Sequence, residues 1–124
     1  MTEKLETQVL RYFAAVDGED IDALLETLTK DCVFRVETHG IELRGHDAIR
    51  GMFERLWSAH AKVKHHAFRH VVDADAGRIA SQFQVVNTHP DGSLTHKFNC
   101  NFFTDNAGRF GAVSVYMTGD NTLS

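Results

Sequence analysis

The chain has 124 residues, a formal charge of −4 with histidine neutral, 43% hydrophobic residues and 10% aromatics. This is the length of one domain spanning 1–124, and the composition excludes a disordered chain. No basic run or Lys/Arg stripe interleaved with aromatics is present, so phosphate neutralisation and nucleic-acid binding are not expected. No stretch approaches the roughly 18 apolar residues that span a membrane.

The first helix is predicted over 2–16. Thr2 is placed to cap it, Leu5, Val9, Tyr12, Phe13 and Val16 recur at helical spacing, and Gly18 ends it. A second helix carries Ile21, Leu24, Leu25 and Leu28 at i, i+3, i+4, i+7, with Asp20 and Asp22 at its N-terminal end. Residues 32–37 read as a strand, 38–40 as a turn and 41–43 as a short return strand, and Arg35, Glu37, Glu42 and Arg44 form a solvated charge cluster across them. A third helix is predicted over about 46–60, with Ile49, Met52, Phe53 and Leu56 on one face. Strands follow at 62–73, 78–89, 94–104 and 109–118, separated by DADAG, HPDGS and DNAG. Each break pairs Gly with Asp or Asn, which tolerate the positive φ of hairpin turns. The segment VKHHAFRHVV also fits a helix. Helices first and a long antiparallel meander after them indicate an α+β fold, with helices on one face of a curved sheet.

On these residues the chain resembles a known superfamily. VLRYFAAVDGEDIDALLETLTKDCVFRV looks like the helical hairpin and first strand of SnoaL-like and ketosteroid isomerase-like proteins of the nuclear transport factor two-like superfamily. ELRGHDAIRGMFERL resembles their third helix. The resemblance implies a cone-shaped roll of three N-terminal helices on a strongly curved, mainly antiparallel sheet. It further implies a deep apolar pocket entered at the open end, and homodimers formed through the sheet.

The ketosteroid isomerase pattern carries over only in part. Its Tyr donor matches Tyr12, but its base position falls on Val36 and its second carboxylic acid on Cys100. Valine moves no proton, and a thiol is a weak donor. A slip that brings Glu37 to the base position turns Phe34 and Val36 from the core and is rejected. In a comparison with scytalone dehydratase, His65 or His66 lies near one catalytic position, and Asn87 or His89 near another. Neighbours on a strand face opposite ways, and His66 is taken as the general acid/base.

The expected lining is apolar, as in small-molecule sites. It comprises Phe34, Val36, Met52, Leu56, Phe83, Val85, Asn87, Val113, Val115 and Met117, with Trp57 capping the mouth. The isomerase comparison adds Phe98, Cys100 and Phe102 as inward residues of strand 94–104.

No Cys/His spacing matches a zinc site, and His66 and His70 on one strand lie about 13 Å apart, so neither metal nor cofactor is expected. Free Cys32 and Cys100 and the lack of an apolar signal core suggest the cytoplasm. The resulting expectation is a cofactor-independent lyase, isomerase or cyclase acting on a small hydrophobic molecule through Tyr12 and His66. The alternative is a non-catalytic ligand-binding or protein-interaction module of the same fold. A cavity below about 100 Å³ would end the ligand readings, since ligand sites run to about 300 Å³ or more.

Overall fold

A computed structural model describes residues 2–123, the side chain of Thr2 excepted, so the capping role expected of Thr2 lies outside the described residues. Helix α1 runs Thr2–Asp17, α2 Ile21–Glu26 and α3 Gly45–Ala59. The strands are β1 Leu28–Val36, β2 Ile41–Arg44, β3 Lys62–Asp73, β4 Arg78–Thr88, β5 Leu94–Asn106 and β6 Arg109–Met117. They form one sheet in the order β2-β1-β6-β5-β4-β3, in which only the β1/β6 pair is parallel. The sheet curls without closing, and α1 and α3 pack on its inner face. Among the described residues no helix is long and apolar enough to cross a membrane.

The second helix is shorter than its periodicity suggests. Asp20 caps its start by accepting from the Ala23 N–H at 3.1 Å. Its end is set at Thr27, whose hydroxyl bonds the Leu24 carbonyl at 2.6 Å. The Phe110 N–H then takes the Thr27 carbonyl at 2.8 Å, so Leu28 pairs with Phe110 in the sheet instead of extending the helix. Of the expected charge cluster, Arg35 and Arg44 both reach Glu42, at 2.9 and 3.0 Å, whereas Glu37 accepts from Ser114.

Two strand phases depart from the alternation read in the sequence. In β3 the expected strand forms, but Ala67 adopts φ 58° and the register with β4 shifts between His66 and Arg69. This bulge inserts one residue and reverses the alternation behind it. Val63 and His65 face inward before it; Phe68 and His70 face inward after it, where His70 Nδ1 meets Ser81 Oγ at 2.8 Å. His66 is therefore on the outer face, paired with Gln84.

In β5 the whole strand is turned over relative to expectation. Lys97, Asn99, Asn101 and Phe103 are buried, while Phe98 is 61% and Phe102 41% exposed and Cys100 is half-buried. The neighbours dictate this: Phe103 pairs with both Ile79 and Val113, and Asn101 with both Ser81 and Val115, all buried inner residues. Phe98, Cys100 and Phe102 are thus corrected from pocket wall to outer sheet face.

Candidate functional site

The site is built where α1 and α3 meet the concave face of β4, β5 and β6. Phe13, Tyr12, Phe53 and Phe103 pack edge-on to one another, with Tyr12 centroids 4.9 Å from Phe13 and 5.3 Å from Phe103. Between this aromatic cluster and the sheet lies a cavity of about 30 Å³. Of the candidate residues named from the sequence, Tyr12, Phe34, Leu56, Phe83, Val85, Asn87, Val115 and Met117 line it. So do Phe13, Val16, Phe53, Val63, His65, Asn99, Asn101, Thr122 and Leu123.

The remaining expected residues lie elsewhere. Val36, Met52 and Val113 are buried in the surrounding core. Trp57 does not cap the mouth; its indole N–H donates to the Val16 carbonyl at 3.0 Å and its ring lies on Phe53, locking α3 to α1.

His65 replaces His66 as the wall histidine, and it brings a partner that the sequence reading did not single out. Asp17, the last residue of α1, places Oδ1 2.5 Å from His65 Nδ1, and its Oδ2 accepts the His65 backbone N–H at 2.9 Å. A carboxylate only accepts, so Nδ1 carries a proton, and in the neutral ring the lone pair is on Nε2. Among the described residues no group bonds Nε2. Phe13 and Phe83 flank the ring, at centroid distances of 4.7 and 5.4 Å. Position, tautomer and ring plane are all fixed, which is the arrangement a general base needs.

The polar half of the wall is made of carboxamides. Asn87, Asn99 and Asn101 are 1%, 8% and 3% exposed. Both side-chain polar atoms of Asn87, and Oδ1 of Asn99 and of Asn101, find no hydrogen-bond partner. Unmet buried polar groups are rare in proteins and costly, about 1–3 kcal/mol each. Four such atoms, on three residues, lie on one cavity wall.

Tyr12 is fully buried, and desolvation, with a smaller contribution from nearby Cys32, holds its pKa well above that of free tyrosine. Its hydroxyl is therefore a neutral donor. The cavity wall contains no Asp, Glu, Lys or Arg. Asp17 touches it only through His65. Among the described residues no cluster of three or more His, Cys, Asp or Glu is arranged to hold a metal ion.

A comparison with curated proteins finds no match. Among solved structures, the chain is similar to a proposed polyketide cyclase from Xanthomonas campestris pv. campestris, with a TM-score of 0.84 and 18% identity over 93% of this chain and 90% of that one. PrhC from Penicillium brasilianum superposes with a TM-score of 0.84 at 17% identity, over 94% of this chain and 81% of that one. A proposed isomerase from Bacillus subtilis gives 0.82 at 16% identity, over 94% and 87%. At such identities the likeness is one of fold. The family model of the SnoaL-like domain matches residues 9–119, nearly the whole chain, and the protein belongs to the SnoaL-like family.

Proposed function

We propose that this protein is a cofactor-independent acid–base catalyst of the lyase, isomerase or cyclase type, acting on a small, uncharged, oxygen-bearing hydrophobic molecule. The observation that carries this reading is His65, held by Asp17 with Nε2 unbonded on the wall of an otherwise apolar cavity. In the proposed step, Nε2 takes a proton from a carbon next to a carbonyl, or from a hydroxyl. The Asp17 carboxylate stabilises the imidazolium that forms. Tyr12 donates a hydrogen bond to the oxygen on which negative charge develops. Asn87, Asn99 and Asn101 hold further oxygens of the same molecule. A wall without charged side chains favours a neutral substrate, because a charged one would be desolvated without a counter-ion.

The structural neighbours described as a proposed polyketide cyclase and a proposed isomerase support this class of reaction. In a working assay, Asp17→Asn and Tyr12→Phe are each expected to lower turnover at least tenfold; unchanged turnover in either removes that residue from the mechanism.

A second reading, a non-catalytic protein-interaction module of the same fold, is favoured by the cavity volume. At about 30 Å³ the cavity is below the roughly 100 Å³ expected of any ligand site and has room for only one or two waters. The enzyme reading therefore requires the walls to open. Native mass spectrometry separates the two: a co-purifying small molecule supports the pocket, and an additional polypeptide supports the module.

The homodimer expected through the sheet is also a proposal. Phe98, Phe102 and Tyr116 stand exposed on the outer face of β5 and β6, and a contiguous aromatic patch of this kind commonly marks an interface.

A further inference from the structure

β5 brings an uncommon residue to the inner face of the sheet. Lys97 lies two residues before Asn99 and is 3% exposed. A buried ammonium is tolerated only when its protons are used. Here Nζ donates to the Thr118 carbonyl at 2.5 Å and to the Asp120 carbonyl. The carbonyl between them is also held: His39 Nε2 lies 3.1 Å from Gly119 O. Three successive carbonyls just beyond β6 thus meet donors from two elements distant in sequence. The chain turns at Gly119, at φ 70°, and then lays Thr122 and Leu123 against the cavity.

We propose that residues 118–123 form a strap that closes the cavity over Tyr12 and His65, latched by Lys97 and His39, and that ligand enters only when the strap lifts. The strand ends at Met117, so lifting the strap leaves β6 in the sheet. It removes Thr122 and Leu123 from the wall, and so enlarges a cavity that is otherwise bounded by helices and strands. The latch is polar and the plug is a single half-buried leucine, a combination that opens more readily than packed core. Closure also shields the orphaned carboxamides from bulk water until a ligand replaces the strap. The inference concerns access alone, so it stands or falls separately from the chemistry assigned to His65.

The test needs no substrate. In a Cys100→Ser background the one native thiol is Cys32, fully buried in the core. Val115→Cys adds a reporter on the cavity wall. Iodoacetamide labelling of both thiols is followed by peptide mass spectrometry, with and without Lys97→Met. Lys97→Met is expected to speed labelling at position 115 at least tenfold while the Cys32 rate stays the same. Leu123→Gly, which removes the plug and leaves the latch, should act in the same direction. An unchanged rate at position 115 in both variants overturns the strap. So does an equal rise at both thiols, since that reports general loosening of the fold.

Discussion

Asn87 offers the sharpest thermodynamic test of the site. It is 1% exposed and neither polar atom of its carboxamide has a partner. Each such atom costs the native state about 1–3 kcal/mol, partly relieved by any water the cavity admits. Leucine has nearly the same branched shape, carries no polar atoms and suits neighbours such as Val85 and Val63. Asn87→Leu should therefore stabilise the ligand-free protein by about 2 kcal/mol, raising Tm by about 6–10 °C in a chain of this size. Urea denaturation with linear extrapolation measures it, and an unchanged m-value would assign the gain to stability alone. A loss of 1 kcal/mol or more would refute the reasoning, because it would mean that the carboxamide is bonded within the protein and serves the fold. The expected gain has a functional meaning: stability given up at one position is the usual mark of a residue kept for binding.

Other consequences are as direct. Burial, and secondarily the charge of Asp31, pushes the Cys32 thiol from 9.0 up to about 12. The folded state keeps this proton while the unfolded chain releases it above pH 9, so stability should fall between pH 9 and 12, by at most about 1.4 kcal/mol per pH unit. Urea melts across that range should lose part of this slope in Cys32→Ala; an identical slope would mean that the thiol is not shielded. Asp17→Asn should release the His65 ring from its fixed tautomer: long-range proton–nitrogen NMR should find the proton on Nδ1 in the native chain and a mixture in the variant. A native ring protonated at Nε2 alone would contradict the dyad. Phe102→Glu should abolish a sheet-mediated dimer in sedimentation experiments without lowering Tm by more than a few degrees, and a dimer that persists would place the interface elsewhere.

Much of the fold could be read from the chain because the pattern is consistent across levels. The turn chemistry of DADAG, HPDGS and DNAG fixes three hairpins, and the apolar periodicity of Val9, Tyr12, Phe13 and of Ile49, Met52, Phe53 fixes the inner faces of α1 and α3. The site was less legible because it sits where the local rules are broken. Strand alternation holds through β5, but it does not say which face is inner; the isomerase comparison points Phe98 and Phe102 inward, and β5 instead buries Asn99 and Asn101. The bulge at Ala67, a residue with no special turn chemistry, moves the inward phase from His66 to His65. Asp17 did leave a trace. A carboxylate at a helix C-terminus opposes the helix dipole, and α1 has no basic residue in its last turn. Such a residue has to be explained by something outside the helix, and His65 explains it.

We propose an acid–base site for a neutral, oxygenated molecule between α1, α3 and the concave face of the sheet. Side-chain NMR of asparagine and histidine tests it most directly, using millimolar resorcinol and 1,3-cyclohexanedione as probes on the native chain and on Lys97→Met. The signals of Asn87, Asn99, Asn101 and His65 should move together while those of Asn106 stay still, with tighter binding in Lys97→Met. Probe binding confined to the outer sheet face, or no movement of the cavity signals in the unlatched variant, would contradict it.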